Sequence, residues 1–292
     1  MFEGVGTALA TPFNEDFSID FESYKKLIRR QIKGGVDSII VLGTTGESPV
    51  INEYEREKLI ETAQETVEGK VKIIIGTGSN DTNKVVKLNA IAVKYKTDAV
   101  LIVNPYYNKG TQSSLIQHYQ YISERTSLPI ILYNVPSRTG MNVLPETAIK
   151  INETCKNVVA IKEASGNISQ IAHLLAIKNN SFEVISGNDD QTIPIMALGG
   201  VGVISVYSNA FPKELKEITT AMQKNELQQA QVLNQKYLKM MSLLFEETSP
   251  APLKFVLNKL GICQNILRLP LAPVSKQTEN RLLNELEKYE KY

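Results

Sequence analysis

Tryptophan is absent from the 292 residues, and histidine and cysteine occur twice each. A catalytic zinc site is usually built on His, with Cys, Asp or Glu completing it. His118 and His173 each stand in a polar helical stretch without a partner at ligand spacing, and both read as solvated surface residues. A Ser-His-Asp triad would have to use one of them, and no G-x-S-x-G turn is present. There is no G-x-x-x-x-G-K-[ST] and no G-x-G-x-x-G, since GTGSND (76–81) and GGVG (199–202) fall short of both. Cys155 and Cys263 stand far apart and form no disulfide framework, so they read as free thiols of a reducing compartment. The 32 basic residues nearly balance the 31 acidic ones, which removes any bulk electrostatic reason to bind nucleic acid or an anionic membrane. No run approaches 18 apolar residues, and the start MFEGVG lacks the features of a signal peptide. The expectation is a soluble, cytoplasmic protein whose chemistry runs on Lys, Tyr, Thr, Arg or carboxylates.

One pattern repeats along the chain: a short β-branched apolar run, a turn rich in Gly, Thr, Asn or Pro, then an amphipathic helix. The runs are VGTALATP (5–12), SIIVLG (38–43), VKIIIGTG (71–78), DAVLIVNP (98–105), PIILYNVP (129–136), VVAIKEAS (158–165), FEVISGND (182–189) and VGVISVYSN (201–209). Near-continuous apolar stretches of this length suit strands covered on both faces. Between them lie helices such as FESYKKLIRRQIKGG (21–35), where Tyr24, Leu27, Ile28 and Ile32 share one face. Eight such units in series predict an α/β fold, an eight-stranded parallel (β/α)8 TIM barrel, because sequence order then closes without a change of winding. Residues 1–223 are expected to form the barrel and 224–292 a C-terminal helical domain.

In such a barrel the working residues lie at the carboxyl ends of the strands. That places GTTGE (43–47), NPYYN (104–108), YNVPSRTG (133–140), IKEASGN (161–167), SGNDD (186–190) and ISVYSN (204–209) at one end. Lys162 stands in a strand otherwise made of Val, Ala and Ile. Desolvation there favours the neutral amine, a nucleophile able to form a Schiff base with a ketone. A lysine snorkelling to solvent fits the strand equally well; pairing with Glu163 fits less well, because neighbouring strand residues face opposite ways. Tyr133 on the adjacent strand could shuttle the protons of imine formation, or be a core tyrosine with a backbone partner. Thr44 and Thr45, between two glycines, could cup a carboxylate or simply precede the helix that starts near Asn52. Arg138 suits bidentate carboxylate recognition, and Tyr106 and Tyr107 suit either a site or an interface.

Taken together and in this order, GTTGE, NPYYN, YNVPSRTG, IKEASGN, SGNDD and GVISV resemble the dihydrodipicolinate synthase family of pyruvate-dependent class I aldolases. The likeness runs from FEGVGTALATPF to RLPLAPVS near residue 268. It implies that Lys162 forms a Schiff base with pyruvate, which then condenses with L-aspartate 4-semialdehyde in lysine and diaminopimelate biosynthesis. It further implies Tyr133 as general acid/base in a relay with Thr44 and Tyr107, the latter supplied across a tight dimer. Thr45 would bind the pyruvate carboxylate, Ile204 would lay its backbone against pyruvate, Gly187 would leave room beside the lysine, and Arg138 would bind the semialdehyde carboxylate. No metal or organic cofactor is implied, because the protonated imine is itself the electron sink. A homodimer or a homotetramer built as a dimer of dimers is expected. Acylneuraminate lyases and sugar-acid aldolases share the lysine and the Gly-Thr turn but generally lack the arginine of PSRTG, so Arg138 favours the synthase. A barrel that binds small carboxylates without turnover is the reading outside the enzyme class. In lysine-inhibited members the pocket resembles the region of Ser48, Pro49, Glu53, Arg56, Asn80, Lys84 and Tyr106. Arg56 and Lys84 add positive charge there and are expected to weaken binding of an ammonium ligand.

Overall fold

The computed structural model describes residues 2–289. Eight parallel strands close into a barrel in sequence order: β1 (Gly4–Ala8), β2 (Ser38–Val41), β3 (Lys72–Gly76), β4 (Ala99–Val103), β5 (Ile130–Asn134), β6 (Val158–Glu163), β7 (Glu183–Ser186) and β8 (Gly202–Ser205), with β8 pairing back on β1. Each predicted run contains one strand, trimmed of its turn residues or shifted by one at its start. The apolar runs are continuous because strand alternation feeds two separate cores. Ile40, Ile74, Leu101, Ile131, Ile185 and Ile204 fill the barrel interior. Their neighbours Ile39, Val41, Ile73, Ile75, Val100 and Ile102 pack outward under the helices.

Local signals set the helix starts. Asp20 accepts the Ser23 N–H at 2.9 Å and caps the helix Phe21–Lys33. Asn52 and Glu55 form a reciprocal capping box on Glu53–Val67. Tyr24, Leu27 and Ile28 are buried as expected, but the fourth buried residue of the first helix is Gln31, and Ile32 is only partly covered. Gln31 accepts from Thr7 Oγ1 at 2.9 Å and donates to the Asn209 carbonyl at 3.0 Å, so burial leaves its amide satisfied.

Beyond β8 the chain forms helices Pro212–Gln223, Leu227–Leu243, Ala251–Lys259 and Lys276–Tyr289. The last packs back through Tyr289, whose ring centroid lies 4.4 Å from that of Phe211 and whose hydroxyl is 3.1 Å from that of Tyr207. Among the described residues no helix is long and apolar enough to cross a membrane. Cys155 and Cys263 are buried free thiols.

Candidate active site

A cavity of about 1150 Å³ opens at the carboxyl ends of the strands. Thr44 and Thr45 reach it from the loop after β2, Tyr133 and Arg138 from β5 and its loop, Lys162 from β6, and Gly187 from the loop after β7. A smaller cavity of about 460 Å³, lined by Lys25, Arg29 and Glu65, lies in the outer helical layer, away from these residues.

Lys162 and Tyr133 are direct partners in the β5–β6 register and project into the barrel. Both are buried, and the lysine nitrogen lies 4.3 Å from the tyrosine ring centroid. The next pair along, Asn134 and Glu163, faces the other way. Glu163 accepts from Asn134 Nδ2 at 3.1 Å on each carboxylate oxygen and from the Ser165 N–H at 2.9 Å. Burial pushes its carboxyl above the usual range, against the pull of those donors. Glu163 is thus engaged elsewhere and is not the lysine's partner.

Gly187 leaves the space beside the lysine. A Cβ built there would lie 3.1 Å from Lys162 Cε and 2.6 Å from Ala164 Cβ. Asp189, two residues on, carries no local sequence signal of its role. It is buried, and its Oδ2 accepts the Val206 and Tyr207 N–H groups at 3.1 and 3.0 Å, fastening the end of β8 to the loop after β7. Burial raises its carboxyl pKa, while the hydroxyl of Ser205, the two backbone donors and the charge of Lys162 pull it down.

The Gly43–Gly46 turn carries Thr45 buried and Thr44 half-buried. Its Gly46 N–H donates to the Gly43 carbonyl at 3.1 Å, and Thr11 Oγ1 donates to the Gly46 carbonyl at 2.8 Å. Behind it Gly76 admits the close approach of the chain leaving β2, since a Cβ there would sit 2.2 Å from the Leu42 carbonyl oxygen. Glu47, which follows the turn, makes a buried ion pair with Lys254 at 2.5 Å.

Arg138 lies on the short helix Pro136–Thr139, and its Nη2 donates to the Ser249 carbonyl at 3.2 Å. Phe245–Ser249 lines the cavity mouth, so the C-terminal helical segment contributes a wall that helical periodicity alone did not reveal. The Ser-Pro pair at 249–250, which interrupts that periodicity, was the available signal. Ile204 sits in the barrel interior, 2 % exposed, one register step from the strand end. Tyr106 lines the cavity, whereas Tyr107 is 91 % exposed and does not line the cavity of its own chain. Arg56 is buried at the far side, donating to the Gly76 carbonyl at 3.3 Å and Ser48 Oγ at 3.2 Å, with Glu53 and Lys84 nearby on the wall. The Asn80 carbonyl accepts from Asn108 Nδ2 at 3.0 Å.

His173 is exposed beside Glu146, as expected. His118 is not a surface residue. It is 7 % exposed, on the helix Gln112–Ser123 and facing the helix Thr82–Lys94, with Nδ1 2.9 Å from Thr82 Oγ1. Burial pushes its ring down to about 4, so it is neutral at physiological pH. A polar helical sequence could not announce this, because the covering residues come from the neighbouring helix.

A sequence model of the Dihydrodipicolinate synthetase family matches residues 1–289. The 4-hydroxy-tetrahydrodipicolinate synthase of Thermotoga sp. (strain RQ2) is 50 % identical over 289 residues, covering 98 % of each chain. The crystal structure of dihydrodipicolinate synthase from Thermotoga maritima superposes with a TM-score of 0.97 at 49 % identity, covering 99 % of this chain and 98 % of that one. The chloride-inhibited enzyme of Acinetobacter baumannii, solved in complex with pyruvate, gives 0.96 at 37 % identity over 98 % of both chains. With the eight-stranded barrel and the cavity at its carboxyl end, the chain belongs to the dihydrodipicolinate synthetase family.

Proposed function

We propose that this chain is a 4-hydroxy-tetrahydrodipicolinate synthase, condensing pyruvate with L-aspartate 4-semialdehyde through a Schiff base on Lys162. The observation that carries the reading is the register pair: a buried lysine nitrogen 4.3 Å from the ring of Tyr133, both facing the cavity. In this reading the amine of Lys162 adds to the keto carbon of pyruvate. The keto oxygen leaves as water, with Tyr133 as the acid that protonates it and Thr44 as its relay. Loss of a methyl proton gives the enamine, whose terminal carbon attacks the aldehyde carbon of the semialdehyde. The new alkoxide takes up a proton. The amino group of the semialdehyde portion then attacks the imine carbon, frees Lys162 and closes the ring.

Thr45 is assigned to the pyruvate carboxylate, with the backbone of Ile204 beside it and the gap at Gly187 accommodating the imine. Arg138, at the mouth, is assigned to the semialdehyde carboxylate. Tyr107 completes the relay from a second copy, in a homodimer or a homotetramer built as a dimer of dimers. We assign the barrel unit to residues 1–223 and treat 224–292, of which 290–292 lie outside the described residues, as a helical domain appended to it that adds Phe245–Ser249 to the cavity wall, in a cytoplasmic enzyme of lysine and diaminopimelate biosynthesis.

The test is reductive trapping: protein, pyruvate and sodium borohydride, followed by intact mass and peptide mapping. A pyruvate-derived adduct on Lys162, absent from Lys162→Ala, is expected; no adduct refutes the reading. Turnover with aspartate semialdehyde and none with N-acetylneuraminate separates the synthase from a sugar-acid aldolase.

A further inference from the structure

The turn that carries Thr44 and Thr45 is flanked by two side-chain-bearing residues in the left-handed region, Leu42 at φ 62° and Glu47 at φ 55°. Such residues persist only where the surroundings hold them. Glycine would fit the position of Glu47 without strain, so a glutamate there calls for a contact that only its side chain can make.

That contact crosses the molecule. Glu47 Oε1 lies 2.5 Å from Lys254 Nζ, and Glu47 Oε2 accepts the Arg268 N–H at 3.1 Å. Lys254, on the helix Ala251–Lys259, is fully buried. Its ammonium also donates to the Ile266 carbonyl at 2.7 Å and lies 4.0 Å from the centroid of the Phe13 ring. Arg268 extends the clamp, donating to the Val50 carbonyl at 2.8 Å and pairing with Glu55 at 2.5 Å. Both sides of the loop 47–55 are thereby fixed to the C-terminal segment. The same segment holds Arg138 through the Ser249 carbonyl, just ahead of the helix that carries Lys254.

We propose that Lys254 is a positioning residue for the Thr44–Thr45 turn, acting through the carboxylate of Glu47. The pair fixes the end of a strained turn, and with it the hydroxyls and N–H groups that face pyruvate. This rests on the assignment of pyruvate to that turn.

The experiment compares native protein with Lys254→Met and with the double variant Glu47→Gly/Lys254→Met. In the double variant glycine takes the left-handed conformation freely and no charge is left buried alone, so the link is lost together with the hydrogen bonds its two ends make to the Arg268 N–H and the Ile266 carbonyl. Each is labelled with borohydride over a series of pyruvate concentrations, and the half-saturating concentration is read by intact mass. Thermal unfolding of each variant fixes the temperature at which at least roughly nine-tenths of it is folded, and there the loss of competent molecules raises the half-saturating concentration by only about a tenth. We expect a rise of about tenfold in both variants, the effect of a small displacement of substrate-positioning groups. Half-saturation within about twofold of native in the double variant overturns the proposal. If Lys254→Met is insoluble, the double variant decides alone. A native protein that takes no label refutes the Schiff-base reading instead.

Discussion

Gly187→Ala tests the geometry around the lysine with a single methyl group. The backbone there is not in the left-handed region, so alanine meets no conformational barrier. The added carbon would lie 2.6 Å from Ala164 Cβ, 3.1 Å from the Glu163 carbonyl oxygen and 3.1 Å from Lys162 Cε. Carbon atoms prefer about 3.5–4.0 Å, so the first contact is short by roughly 1 Å. Ala164 has no rotamer to change, and the Glu163 carbonyl accepts the Gly187 N–H at 2.7 Å. The lysine side chain is the one neighbour able to turn aside. Overpacking of this kind costs about 1–3 kcal/mol, and a lysine moved by a fraction of an ångström is expected to slow imine formation by up to about 100-fold.

The assay is the rate of borohydride labelling at fixed pyruvate, with thermal unfolding recorded alongside. Gly166→Ala is the control, because Gly166 has φ 75° and a methyl group added there would meet no heavy atom within 4 Å. Its cost is backbone strain of about 1 kcal/mol, with labelling unchanged. If Gly187→Ala labels at the native rate, the lysine does not need that space and the reasoning fails.

Three other outcomes are expected. Arg138→Ala should label with pyruvate normally while KM for the semialdehyde rises about 10- to 100-fold, the worth of a charged hydrogen bond; equal loss of labelling would show Arg138 serving pyruvate. His118 is held near 4 by burial while an unfolded histidine titrates near 6.5, so the unfolded chain takes up the proton first as pH falls. Its contribution is complete above about 6.5 and is lost on the way to 4, a change of about 3 kcal/mol; urea unfolding of His118→Gln should accordingly lose less stability between neutral and acid pH than native, and identical losses contradict this. L-Lysine should inhibit poorly, because Arg56 and Lys84 line the region an ammonium ligand would need; potent inhibition at sub-millimolar lysine in a steady-state assay would refute it.

The strands were legible because each apolar run belongs to two cores at once, and the candidate site could be read from the chemistry-bearing residues that interrupt those runs at the end where the cavity opens. What stayed hidden depends on partners distant in sequence. Glu47 and Lys254 look unremarkable apart, and only the closed fold brings their charges to 2.5 Å. Gln31 reads as a polar break in an amphipathic stripe until Thr7 and Asn209 supply its hydrogen bonds. His118 becomes a core residue because Thr82 sits on the helix above it. Asp189 is buried by donors from the strand that follows it in the barrel, which no local pattern encodes.

The alternation along β5 and β6 explains how one register serves both the proposed chemistry and folding. Side chains repeat every second residue, so Tyr133 and Lys162 face inward while Asn134 and Glu163, one step further, face the helices. A slip of one residue would exchange every face. It would drive Glu163 into the barrel and strand the lysine in an apolar layer, away from the cavity. Asn134 guards against this with its amide shared between the two carboxylate oxygens of Glu163, while its own Oδ1 accepts the Val143 N–H at 3.0 Å. A buried carboxylate without those donors would cost several kcal/mol, so the register that satisfies it is strongly preferred. The hydrogen-bonded pair on the outside of the barrel therefore specifies which lysine and which tyrosine meet on the inside.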